Sequence, residues 1–196
     1  MFSLSKKLTD CYVKRNDVEP EKIQIYEYGF KLIVSDIINF LIVLGIGLFC
    51  EKLWMSVSFL VVLCSIRVYS GGYHSKSFIV CRLSMIATLF CVLFLTNIID
   101  QCVNNILDTV LLINLFSILS IIIYSPVEHS NKPLNARQKK ANKNKASIIS
   151  SIFAVMSICM VDRGIKEGIT ISLTILAVNI LMFIGLIVRK RGEKNV

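Results

Sequence analysis

Six apolar blocks separated by charged segments constrain this chain more than any other feature of its sequence. They cover residues 32–50, 53–66, 78–95, 106–124, 147–161 and 169–188. Crossing about 30 Å of hydrocarbon takes about 20 helical residues, and a span in lipid must satisfy its own backbone hydrogen bonds. The expectation is therefore an all-α polytopic membrane protein with about six transmembrane helices. The second and fifth blocks are short, so each would tilt little, thin the bilayer locally or re-enter without spanning. Composition agrees, since 55% of the 196 residues are apolar and only 18% are charged. A soluble domain of this size keeps too much of its surface wet to hide that apolar content. With only 9 Gly and 3 Pro, disorder and fibrous repeats are excluded as well.

The net charge of +9 has a membrane explanation. Cytoplasmic loops carry the excess of Lys and Arg. With the N-terminus inside, the inner segments 1–31, 67–82, 126–146 and 189–196 hold six, three, six and four basic residues, nineteen in all. The outer segments hold Lys52, Arg163 and Lys166, which is three. Both termini are thus expected in the cytoplasm. The organisation read from this pattern is an N-terminal interfacial segment 1–31, a membrane domain 32–188 with inner segments 67–82 and 126–146, and a tail 189–196.

Residues 1–31 carry six Lys/Arg and no continuous apolar core, so no signal peptide is expected. Phe2, Leu4, Leu8, Cys11 and Tyr12 fall near helical spacing among Lys6, Lys7, Lys14 and Arg15, which reads as a helix lying on anionic lipid. A second short helix begins at Pro20 and takes its apolar face from Ile23, Tyr26 and Phe30. Gly45-Ile46-Gly47 lacks a third glycine and lies in an apolar block, so it reads as a close-packing spot, not a phosphate loop. The basic stretch 131–145 has no interleaved aromatics to stack bases, which argues for lipid or an anionic partner and against nucleic acid. Asp36, Asn39, Asp108, Asn114 and Asn179 are costly against lipid and are expected to face inward.

Seven cysteines are never closer than ten residues apart, which rules out CxxC redox and zinc-ribbon patterns. Most are expected to be buried as small apolar residues. Cys81 has unusual neighbours. His74, one of two histidines, precedes it by seven residues, after Gly71 and Gly72, at the expected inner face. A cysteine nucleophile acts as its thiolate, and a nearby imidazole can take the proton. In one unbroken helix the two side chains would share a face but stand roughly 10.5 Å apart along the axis. The spacing therefore predicts a break between them. Gly71-Gly72 would supply a positive φ and a tight turn, and Ser75 or Ser77 a cap, with Cys81 near the positive end of the helix dipole beside Lys76 and Arg82. Two other readings stand beside catalysis: an interfacial histidine with a packing cysteine, or a metal site gathered from His74, Cys81 and His129.

The run Arg67-x-x-x-Gly71-Gly72-Tyr73-His74-x6-Cys81, followed by Ser84, resembles the signature of the accessory gene regulator protein B (AgrB) family. Pro126-Val127-Glu128-His129-x-Asn131-Lys132-Pro133-Leu134 resembles the loop after that family's fourth hydrophobic segment. The similarity extends over nearly the whole chain. It implies a membrane cysteine endopeptidase of quorum sensing in the bacterial cell membrane, with its active site at the cytoplasmic side. Cys81 would be the nucleophile and His74 its general base. The substrate would be an AgrD-like propeptide, cut near its acidic tail through a thioester and then cyclised to a thiolactone or lactone. Lys139 and Lys140 would hold the acidic tail. Arg67 would steer a carboxylate, pair with Asp36 or serve as a topology charge. Homodimers are expected, with no cofactor and no metal. Two readings of another class remain: a small peptide exporter with Asp36 and Asp108 along its path, or a non-catalytic membrane scaffold.

Overall fold

A computed structural model describes residues 6–7, 9–13, 20–71, 78–127 and 135–194. The chain divides into two compact units, Met1–Gly45 and Ile46–Val196. In the first, residues 9–13 are helical, and the Tyr12 ring lies 5.1 Å from the Tyr26 ring and 5.8 Å from that of Phe30. Tyr26 and Phe30 belong to α1, Pro20–Phe49, which is continuous. The helix expected at Pro20 thus runs into the first apolar block without the boundary placed at residue 31. No proline interrupts it, and Glu27 and Lys31 form an i,i+4 ion pair at 2.7 Å.

The second unit contains α2 (Leu53–Ser70), α3 (Phe78–Cys102), α4 (Ile106–Tyr124), α5 (Ala136–Asp162) and α6 (Glu167–Lys194). Six helices, α1 included, are long and apolar enough to cross a membrane, and no strand forms among the described residues. α6 is the axis of this unit and packs against α2, α3, α4 and α5. Residues 168–175 are buried on every side, Thr170, Ser172 and Thr174 among them. A Cβ on Gly47 would come within 2.7 Å of Ser56 Cβ, while one on Gly45 would meet open space. The close-packing spot is therefore Gly47 alone.

Small polar side chains stitch the interior. Thr96 and Thr170 hydroxyls lie 3.2 Å apart, Ser157 and Ser172 share a hydrogen bond, and Asn114 Nδ2 reaches Ser157 Oγ at 3.4 Å. Asn179 Nδ2 donates to the Ser117 carbonyl at 3.3 Å. Asn39, Asn114 and Asn179 are buried as expected. Asp36 and Asp108 are not. Both are exposed, because the buried faces of their helices run through Val34, Ser35, Asn39 and Val43 in α1 and Val110, Asn114, Ser117 and Ile121 in α4. Each aspartate stands two residues, about 200°, from the leading valine of its stripe.

The fifth block also differs. α5 begins at Ala136, so the second half of the segment read as a basic loop is helix, and the Asn135 N–H donates to Gln138 Oε1 at 3.1 Å at its start. Ala, Arg, Gln and Lys are strong helix formers, but a stretch that is polar all round leaves no apolar period to find.

Candidate active site

The C-terminal turn of α2 is held by a contact distant in sequence. Val127, just past α4, donates its backbone N–H to the Ser70 carbonyl at 2.9 Å and forms an isolated parallel bridge with Gly71. Gly71 has φ +69° and ψ −155°, a region that essentially only glycine occupies. A Cβ there would also overlap the Val127 carbonyl oxygen and stand 3.1 Å from its carbon. Ser70 is fully buried, as are Ser125 and Val127 within a few per cent. Glycine at 71 thus serves both the turn expected from the sequence and a close backbone approach that was not expected. Gly72 and His74 lie outside the described residues, as do Ser75, Lys76, Ser77 and His129.

Cys81 is the fourth residue of α3 and is half-buried, with a free thiol. It stands on a crevice of about 10 Å³ walled also by Leu63 and Arg67 of α2, Ser84, Met85 and Thr88 of α3, and Leu181 of α6. That is about the space of one water molecule. The α3 contributors fall at i, i+3, i+4 and i+7, one stripe of a helix, facing Leu63 and Arg67 at i and i+4 of α2. Ser84 Oγ donates to the Val80 carbonyl at 2.8 Å and Thr88 Oγ1 to the Ser84 carbonyl at 2.7 Å. The structure therefore brings Arg67 and Cys81 to one crevice. Lys139 and Lys140 do not line it; they are exposed on the first turns of α5. That helix touches the same end of α2 farther along, where Lys145 Nζ lies 5.3 Å from the Tyr69 ring centroid.

The remaining cysteines correct an expectation. Cys11, Cys50, Cys91, Cys102 and Cys159 are exposed, and Cys64 is half-buried. On a helix read as membrane-spanning an outward face meets hydrocarbon, which suits a small apolar thiol as well as a protein interior does. Among the described residues no three His, Cys, Asp or Glu side chains gather as a metal site. The sequence reading missed Val127 as a partner of the turn, and Met85 and Thr88 as crevice walls. The second pair was findable from the helical stripe that starts at Cys81.

The Accessory gene regulator B family profile matches residues 5–186. The chain belongs to this family. Among relatives, an AgrB-like protein of Clostridium perfringens strain SM101 is 28% identical over 149 residues, 74% of this chain and 70% of that one. An AgrB-like protein of Halalkalibacterium halodurans is 25% identical over 185 residues, covering 92% and 90% of the two chains. Accessory gene regulator protein B of Staphylococcus saprophyticus is 21% identical over 145 residues, 74% of this chain and 75% of its own. No solved structure matches. Membership in the AgrB family connects this multi-pass chain with quorum sensing.

Proposed function

We propose that the chain is a membrane-embedded cysteine endopeptidase that removes the acidic tail of an AgrD-like propeptide and cyclises the remainder. The observation that carries this reading is Cys81 on a small crevice at the junction of α2, α3 and α6, beside a guanidinium and close to a glycine turn clamped in place. His74 takes the thiol proton. Sγ then bonds to the scissile carbonyl carbon, the C–N bond breaks, and His74 returns the proton to the departing amine. An internal Cys or Ser of the retained peptide attacks the thioester and frees Cys81, giving a thiolactone or lactone. For cyclisation to win, water must be scarce, and Leu63, Met85 and Leu181 give the crevice apolar walls.

Lys139 and Lys140, exposed near the start of α5, hold the acidic tail. The nineteen-to-three division of basic residues supports a cytoplasmic site and cytoplasmic termini, and residues 1–31 rest on anionic lipid beside the propeptide's own amphipathic leader. The working unit is a homodimer. Co-expressing a matching propeptide with the wild type and Cys81→Ala, and following tail release by mass, tests the proposal. Wild type should release the tail and the variant should not; undiminished cleavage by Cys81→Ala would end it.

A further inference from the structure

We infer that Met85 and Leu181 are specificity-determining residues, which receive the side chain of the substrate residue whose carbonyl Cys81 attacks and select an apolar one. The inference rests on the proposal that Cys81 is the nucleophile.

Two features bring these side chains together beside the thiol. Asp100 of α3 meets Lys166 of α6 at 2.6 Å, and one turn farther along both helices the Thr96 and Thr170 hydroxyls lie 3.2 Å apart. A step of four back along α3 is thus matched by a step of four forward along α6, as in an antiparallel pair. Eleven residues beyond the threonines, about three turns, the same register sets Met85 opposite Leu181. Independently, both line the crevice that holds Cys81, and Leu63 of α2 adds a third apolar wall. Met85 stands one turn from Cys81 on the same stripe of α3.

The chemistry of attack decides what meets these walls. The Cβ of the attacked residue is two bonds from the carbon that Sγ joins, so its side chain has to lie in or against the crevice. Charge sets the direction. The acidic tail, on the amine side of the cut, is drawn to Lys139 and Lys140, exposed near the start of α5. The retained side therefore runs the other way, along α3 from Cys81 toward Met85 and Thr88. There the wall offers apolar surface, while its polar side chains are engaged. Ser84 and Thr88 hydroxyls donate to carbonyls of their own helix at 2.8 and 2.7 Å, and Arg67 has an interaction of its own. A leucine side chain leaves water at a gain, whereas a carboxamide or carboxylate of similar size gives up its hydration for carbon. Met85, unbranched and flexible, fits its surface to the side chain it meets.

The test uses the full-length protein in lipid nanodiscs and synthetic propeptides that differ only in this residue, which is Leu, Phe, Asn or Asp. Tail release is followed by mass, and kcat/KM is compared between peptides. The ratio for two peptides on one sample does not depend on how much of that sample is folded, so a merely structural role leaves it unmoved. Wild type should favour Leu over Asn by about 10- to 100-fold and disfavour Asp further. Met85→Lys should lower the Leu-to-Asp ratio at least about tenfold by giving the carboxylate a partner. Leu181→Ala should raise the Phe-to-Leu ratio about tenfold by making room. Either variant decides if the other fails to fold. A wild type indifferent to the residue, or one that prefers Asp, overturns the inference, and so do wild-type ratios in a folded variant. In each of those cases the proposed function survives as long as Cys81→Ala abolishes tail release; release that persists in Cys81→Ala removes the nucleophile and the inference with it.

Discussion

Replacing Gly71 by alanine tests the clamp beneath the candidate site with a single methyl group. At φ +69° and ψ −155° an alanine backbone costs about 1–3 kcal/mol. The new Cβ would also overlap the Val127 carbonyl, so that segment must retreat and the 2.9 Å bond from Val127 N–H to the Ser70 carbonyl lengthens or breaks. Losing that bond at a buried serine adds about 1–2 kcal/mol. The total, about 2–5 kcal/mol, lowers the clamped population relative to the opened one by roughly 30- to 5,000-fold. Gly164 provides the matched control. It has φ +73° with nothing within 4 Å of a built Cβ, so Gly164→Ala bears backbone strain without the collision. Hydrogen exchange of the Val127 amide, followed by mass spectrometry in detergent, should be strongly accelerated in Gly71→Ala and unchanged in Gly164→Ala. Propeptide tail release should fall in parallel. If Gly71→Ala left Val127 protection and processing at the levels of Gly164→Ala, the clamp would have no part in shaping the site.

Two further substitutions probe the interior and the basic helix. Ser157→Leu forces a larger side chain into a fully buried position bonded to Ser172 and Asn114, and should cost about 1–3 kcal/mol, read as a lower Tm in detergent; Val155→Leu on the exposed face should leave Tm unchanged. Reversing the charges with Lys139→Glu and Lys140→Glu together should raise KM for an acidic-tailed propeptide at low salt while leaving kcat nearly intact. The defect should shrink as NaCl shortens the screening length, and a salt-independent defect would rule out a charge-based hold on the tail.

The membrane spans were legible because a length of apolar sequence is a local property. The starts at Leu53, Phe78 and Ile106 coincide with those of the apolar blocks. The ends were less so. α3 runs seven residues past its block, to Cys102, where Thr96 is buried against Thr170 and hydropathy no longer marks the helix. α5 starts eleven residues before its block because its first turns bury little. In the site, Arg67 and Cys81 could be singled out from residue types and spacing. The pairing of Val127 with Gly71 could not. It is a backbone contact between segments more than fifty residues apart, and no side-chain pattern announces it, although a glycine at one end and Pro126 beside the other were visible.

That pairing bears on how two helices keep the Cys81 thiol and the Arg67 guanidinium in register. α2 and α3 touch each other far less than each touches α6. The position of Arg67 relative to Cys81 is therefore set indirectly: α3 is fixed on α6 in part by Thr96 and Thr170, and α6 itself supplies Leu181 to the crevice. α2 also packs on α6, but its last turn has the second restraint from Val127. The small buried side chains of Ser157, Thr170 and Ser172 let the helices that carry them approach closely at those points. A substitution that loosens α6 should consequently disturb the crevice from both sides, whereas one that releases Val127 should displace Arg67 and leave Cys81 where it is. The two defects are separable, because only the first should alter the alkylation rate of Cys81.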